Sequence, residues 1–237
     1  YAERHHQRNS RYHCCDFGET IKTIAERNGV EMYDVYTGFK WIANVMRENE
    51  GKKNYIGGGE ESYGFLCEDF VRDKDAVSAC VILAEIAAWA KDQGLSLYQL
   101  LQKIYVEYGF SKEKGISVVK KGKSGAEEIE AMMKKFRENP LTEIAGSKVT
   151  YFYDYSTLKG KDYAENETVT LDMPTTSNVL QYFTEDNTKV SIRPSGTEPK
   201  IKFYMEVQGE MGCRNCFASA DAAAMEKIEA VKKSLGI

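Results

Sequence analysis

The chain has 237 residues, 42% of them hydrophobic and 29% charged, with a net charge of −4. That is room for about two domains, each with its own core, in a soluble globular protein with no sign of a nucleic-acid partner. The longest apolar run, Ala76 to Ala90, is broken by Glu85 and too short to span a bilayer, so no membrane association and a cytoplasmic location are expected.

Residues 1 to 19 are polar and carry His5-His6, His13 and Cys14-Cys15; a metal site there is disfavoured in a segment of this kind, and no function is assigned to it. From residue 20 to 108 helical and extended patterns alternate as in a βαβ domain. Ile21, Ile24 and Ala25 open a helix that Gly29 can end. Val30 to Thr37 reads as a strand, Phe39 to Asn49 as a helix, and Asn54 to Gly57 as a short strand running into the loop Gly57-Gly58-Gly59-Glu60-Glu61-Ser62-Tyr63-Gly64. The next helix, about Lys74 to Gln93, is apolar on most faces and is expected to be buried. Ser96-Leu97-Tyr98-Gln99 is a capping box for another, whose core stripe is Leu97, Leu100, Leu101, Ile104 and Tyr108.

A basic, glycine-containing segment from Lys112 to Gly125 marks the entry to a second domain, so the expected division is 1–110 and 111–237. Ser124-Gly125-Ala126-Glu127 caps a helix with Ile129, Met132, Met133 and Phe136 on one face and Pro140 past its end. Lys148 to Tyr155, Val179 to Thr184, Thr188 to Ile192 and Lys200 to Val207 are strand-like, and Ala224, Ile228, Val231 and Leu235 give a last helix that packs on a sheet. This is an α+β pattern. The six cysteines of the whole chain suggest no disulfide framework. Cys213-Arg214-Asn215-Cys216 lacks the second ligand pair that zinc wants, and two half-buried thiols are the preferred reading.

Arg193-Pro194-Ser195-Gly196-Thr197-Glu198-Pro199-Lys200 places a guanidinium, two hydroxyls and a glycine in one turn between two strands. Arg193 can hold two phosphate oxygens, Ser195 and Thr197 can donate hydroxyl hydrogens, and Gly196 can take φ > 0 so that backbone N–H groups converge on an anion. An ordinary hairpin turn is the alternative. In the Gly59-Glu60-Glu61-Ser62 loop a carboxylate can accept from two neighbouring sugar hydroxyls but would repel a phosphate; a glycine turn with solvated acids is the plain reading there. Lys40, in Thr37-Gly38-Phe39-Lys40-Trp41, sits at a helix N-terminus where the macrodipole disfavours a cation, a conflict that an anionic ligand would remove. Arg72 and Lys74, beside Asp69, Asp73 and Asp75, are explained by capping and surface pairing.

Together and in this order, Thr37 to Trp41, Gly59 to Gly64, Arg72-Asp73-Lys74-Asp75 and Arg193 to Lys200 resemble the C-terminal half of the α-D-phosphohexomutases, in particular the bacterial phosphoglucomutase/phosphomannomutase type. The resemblance runs from about residue 20 to the end. It implies an α/β fold: the third of that family's four domains, a βαβ sandwich truncated at its start, followed by the fourth, an antiparallel sheet packed on helices. It further implies that Glu60 and Ser62 contact sugar hydroxyls, that Arg193, Ser195, Gly196 and Thr197 bind the non-transferred phosphate, and that Lys40 lies near the reacting oxygen. The family's phosphoserine loop and its magnesium loop are not in this sequence, so the metal, glucose 1,6-bisphosphate as intermediate, and the missing N-terminal domains as partners are implied only for an intact enzyme. The chain is expected to be inactive alone. A non-catalytic phosphosugar-binding module is the alternative, and glucose, mannose and glucosamine phosphates are not distinguished.

Overall fold

The computed structural model describes residues 9–14, 18–60, 64–120, 122–196 and 198–237, with the backbone alone at 9–14 and 123. The chain divides into two compact units, Tyr1–Phe110 with Met211–Asn215, and Ser111–Glu210 with Cys216–Ile237.

In the first unit the elements are β1 (Asn9–Cys14), α1 (Glu19–Arg27), β2 (Glu31–Val35), α2 (Phe39–Glu48), β3 (Asn54–Gly59), β4 (Phe65–Cys67), α3 (Ala76–Asp92) and α4 (Leu97–Tyr108). The sheet order is β2-β1-β3-β4. β1 runs parallel to both β2 and β3, and β4 runs antiparallel to β3. The polar opening segment, expected to be atypical, therefore supplies an inner strand. Its backbone N–H and C=O groups are satisfied by two neighbours, a ladder that polar side chains do not prevent.

α2 carries Phe39, Ile42 and Met46 on one face, and these pack with Val35, Tyr55 and Leu66 in a single buried cluster. Each such side chain stabilises the unit by about 1.5–3 kcal/mol through apolar area removed from water. The capping box of α4 is present: Gln99 N–H donates to Ser96 Oγ at 3.2 Å and Ser96 N–H donates to Gln99 Oε1 at 2.9 Å. Of its expected stripe Leu100 is buried and Ile104 and Tyr108 half-buried, whereas Leu97 and Leu101 are exposed.

The expected burial of α3 is overturned. Val77 is 73% exposed and Trp89 52%, Leu83 and Ile86 also face outward, and Ala90 is the buried residue of the helix. A helix apolar all round needs cover on every side. α3 packs mainly on β4 and α4, which cover one side of it.

The second unit contains β5 (Phe110–Val119), α5 (Gly122–Glu138), β6 (Glu143–Ile144), β7 (Ser147–Asp154), β8 (Lys159–Asp162), β9 (Glu167–Thr170), β10 (Leu180–Thr184), β11 (Lys189–Pro194), β12 (Lys200–Gly209), a short 3-10 turn at Arg214–Cys216, and α6 (Phe217–Leu235). Its sheet runs β5-β12-β11-β10-β7-β8-β9, with β6 paired to β7. The first part of the basic segment expected as the entry to the second domain lies in strand β5, and α5 starts at Gly122, so Ser124 lies in its first turn rather than at its cap, contrary to expectation. β5 and β9 are the two edges of the sheet, where charged and polar side chains discourage pairing with another chain and mask the alternation that betrays a strand.

The core lies where α5 and α6 meet the central strands. Ile201, Phe203, Met205 and Val207 of β12 are fully buried, as are Val190 and Ile192 of β11 and Ile228 and Val231 of α6. Phe136 of α5 meets Phe203 edge-on at 6.1 Å, and the buried Tyr182 hydroxyl donates to the Phe136 carbonyl at 3.0 Å. Lys227 of α6 pairs with Asp186 in the β10–β11 turn at 2.8 Å. Cys213 and Cys216, expected as thiols, are both disulfide-bonded; sequence spacing does not report which thiols a fold brings within bonding reach.

Candidate functional site

In the first unit β3 ends in three consecutive glycines, Gly57 to Gly59, and the chain returns through β4. The turn is closed by Glu60 N–H donating to the Gly64 carbonyl at 2.7 Å. A Cβ on Gly59 would lie 2.8 Å from that carbonyl oxygen, so only glycine permits this close approach. The Glu60 side chain is only 6% exposed. Its Oε1 accepts the Gly38 N–H at 2.7 Å, and its Oε2 pairs with Lys74 Nζ at 3.3 Å.

Gly38, with φ 118°, caps α2 without any side-chain hydrogen bond of its own, so the Glu60 carboxylate is the anion at this helix N-terminus. The macrodipole conflict that the sequence assigns to a bound anion is thus already relieved by Glu60. Lys40 is exposed two residues further on, with Nζ 5.1 Å from the centre of the Trp41 ring. A cavity of about 440 Å³ beside it is lined by Lys40, Ala43, Asn44, Arg47, Arg72 and Asp73. Arg72 there pairs with Glu50 at 2.7 Å, so the cations that the recess offers an anion are Lys40 and Arg47. Lys74 itself is held by its neighbour: Asp75 caps α3 by accepting from Ser78 N–H at 2.9 Å and Val77 N–H at 3.3 Å, and these bonds, the Ser78 one foremost, hold its carboxyl below the usual range.

In the second unit β11 and β12 form a hairpin whose turn is the arginine loop. Ser195 N–H donates to the Lys200 carbonyl at 2.8 Å, Lys200 N–H to the Glu198 carbonyl at 2.7 Å, and Glu198 N–H to Ser195 Oγ at 3.3 Å. Lys200 pairs with Glu198, which holds that carboxyl below its ordinary value. Gly196 is not at positive φ, contrary to expectation, and a Cβ there would meet nothing within 4 Å. The turn is closed by the Ser195 and Glu198 bonds, so the left-handed conformation is not required.

Arg193 stands directly opposite Lys202 in the β11–β12 register, so the two half-buried cations share one face of the hairpin. Like charges in directly opposed positions destabilise a sheet, and an anion between them reverses the sign. Arg193 also donates through Nη2 to the Tyr204 hydroxyl at 3.4 Å. Ser195, Pro194 and Lys200 line a cavity of about 490 Å³ with Ile129, Met133 and Arg137 of α5.

Of the residues expected from sequence, Arg193, Ser195 and Gly196 share one hairpin, while Glu60 and the turn bearing Lys40 are joined by the Gly38 hydrogen bond. Ser62 and Thr197 lie outside the described residues, as do Glu61 and Cys15. Lys202 and Lys74 were missed as site residues: Lys202 was readable only from strand register, and the sequence gives Lys74 a sufficient local explanation. Among the described residues no group of three or more His, Cys, Asp or Glu could hold a metal ion. No helix of the described residues is long and apolar enough to cross a membrane.

Residues 5–108 match the model of the phosphoglucomutase/phosphomannomutase alpha/beta/alpha domain III, and residues 117–223 match that of the C-terminal domain. Domain III thus begins some fifteen residues earlier than the sequence motifs indicate, and includes β1. A phosphoglucomutase of Staphylococcus haemolyticus is 37% identical over 190 residues, covering 80% of this chain and 34% of that protein. One from Staphylococcus aureus is 40% identical over the same length and coverage. Among solved structures, the open form of pp63/parafusin from Paramecium has a TM-score of 0.57 at 18% identity, covering 96% of this chain and 38% of its own. A phosphomannomutase structure from Thermus thermophilus has a TM-score of 0.58 at 15% identity, with 98% and 37% covered. The chain therefore spans about a third of the length of the relatives it matches, and it belongs to the phosphoglucomutase/phosphomannomutase family through that family's third and C-terminal domains.

Proposed function

We propose that this chain is the sugar- and phosphate-recognition half of a cytoplasmic phosphohexomutase, which interconverts hexose 1-phosphate and hexose 6-phosphate. The intact enzyme passes a phosphoryl group from a phosphoserine to the sugar and recovers the other phosphate from glucose 1,6-bisphosphate or its hexose analogue. Magnesium would supply charge stabilisation of the transferring group there, and both its ligands and the phosphoserine would come from the N-terminal domains that complete the enzyme. In this chain Glu60 and Ser62 accept and donate hydrogen bonds to sugar hydroxyls. Arg193, Ser195, Gly196 and Thr197 hold the phosphate that is not transferred, and Lys40 donates toward the reacting oxygen.

The observation that carries this reading is the facing pair Arg193 and Lys202 beside the Ser195 turn, two cations held directly opposite each other on one face of the hairpin. Phosphate is the ligand class that such a pair recognises, and a bidentate guanidinium contact is worth about 1.5–3 kcal/mol. The reading is tested by following backbone amides of this chain during titration with glucose 1,6-bisphosphate, in the parent and in Arg193→Ala. Amides around Ser195 and Glu60 shift in the parent, and the Ser195 set falls silent in the variant. A spectrum that stays still at millimolar ligand overturns the reading. Mutase turnover by the pure chain would refute its assigned dependence on the missing domains.

A further inference from the structure

We infer that Lys74 is a positioning residue for the sugar-binding carboxylate: with the Gly38 N–H it clamps Glu60 in one orientation and so locks the sugar loop to the helix turn that carries Lys40. This rests on the sugar-contact role proposed for Glu60. The geometry itself does not.

α2 begins at Phe39, and its N-terminal cap is Gly38, which has no side chain with which to satisfy the helix's first donors. In a capping box the residue three positions into the helix reaches back to the cap's own N–H; here that residue is Trp41, which has no acceptor. Glu60, 22 residues away in sequence, supplies the bond instead through Oε1 at 2.7 Å. The loop after β3 and the first turn of α2 thus share one carboxylate. Any rotation of Glu60 moves both.

A carboxylate with a single hydrogen bond can still rotate about its side-chain torsions. The second contact, Lys74 Nζ to Oε2 at 3.3 Å, removes that freedom. Lys74 is placed for it by bonds on either side: its own N–H donates to Asp73 Oδ1 at 2.8 Å, and Asp75, the next residue, donates its N–H to the Phe65 carbonyl at 3.1 Å while capping α3. The two contacts use two of about four lone-pair sites on the carboxylate, which leaves acceptor capacity for two sugar hydroxyls. The exposed ammonium, at 55% relative exposure, lies on the solvent side of a carboxylate that is itself only 6% exposed. Charge neutralisation of a nearly buried carboxylate and its orientation are therefore done by one side chain.

The test uses this chain with Lys74→Met, Lys74→Arg and Glu60→Ala. Without ligand, Lys74→Met is expected to move the Gly38 amide proton resonance and speed its exchange by about tenfold, the factor for one loosened hydrogen bond, with Lys74→Arg restoring both. With glucose 1,6-bisphosphate, Lys74→Met raises Kd by about 3–10-fold and Lys74→Arg recovers most of it; Lys74→Met also lowers the melting temperature, because the Glu60 carboxylate loses its cation, and Lys74→Arg keeps the parent value. A Gly38 amide indifferent to Lys74→Met overturns the clamp. A Gly38 amide that responds to Lys74→Met, together with an unchanged Kd in Glu60→Ala, leaves the clamp standing and overturns the sugar role of Glu60, and with it the positioning role of Lys74.

Discussion

Replacing Lys202 by glutamate separates phosphate recognition from fold stability, because the two respond with opposite signs. Lys202 faces Arg193 across β11 and β12. Two unit charges about 6 Å apart repel by roughly 0.7 kcal/mol in water, and opposite charges attract by as much. Reversing one charge thus swings the pair by about 1.4 kcal/mol, twice the single-pair value. Against this stands the contact of Lys202 Nζ with the Tyr204 ring at 5.7 Å from its centre. A partly solvated cation over an aromatic ring contributes about 0.5 kcal/mol. The net is stabilisation by about 0.9 kcal/mol, a rise of roughly 2–4 °C in melting temperature. Phosphate binding moves the other way, since Arg193 is neutralised and a carboxylate faces the ligand. The assay is thermal unfolding by circular dichroism with and without millimolar glucose 1,6-bisphosphate. Lys202→Glu raises the melting temperature of the free protein and abolishes the ligand-induced rise of the parent. A lower melting temperature without ligand refutes the repulsion argument, and persistent protection by ligand refutes the anion site.

Gly59→Ala forces a Cβ to within 2.8 Å of the Gly64 carbonyl oxygen, so the turn opens at a cost of about 1–3 kcal/mol; urea unfolding of the first unit reads this, and an unchanged midpoint would show the close approach to be dispensable. Asp186 supplies a pH dependence. Burial raises its pKa, but hydrogen bonds from Lys227, Thr184 and Thr188 outweigh burial and leave it far below the ordinary carboxylate value. A depressed folded-state pKa contributes stability that is fully present above the unfolded value near 4 and is lost as pH falls toward the folded one. With the carboxylate 39% exposed, the contribution after solvent screening is about 1 kcal/mol. Asp186→Asn therefore lowers the melting temperature at pH 7, and the gap from the parent narrows in acid; a gap as wide at pH 2 as at pH 7 contradicts the assignment.

Local information settled much of this chain. The capping box at Ser96, the apolar face of α2, the stripe of α6 and strands β7, β10, β11 and β12 all follow from periodicities of 3.6 and 2 that a single segment carries. The arginine loop was legible for the same reason, since its chemistry is contiguous. Tertiary structure decided the rest. β1 is an inner strand because two neighbours complete its backbone ladder, and the edge strands β5 and β9 carry charged and polar side chains that mask their alternation. The outward apolar face of α3 could not be read from composition, which reports hydrophobicity but not what lies alongside. Lys202 became part of the phosphate face through register. Glu60, read from sequence as a ligand contact, is also the cap of a helix 22 residues upstream, and that second role exists only where β3 brings its carboxylate to the Gly38 N–H. Sequence specifies which groups can bind; the pairing of distant segments determines which of them are held in place to do so.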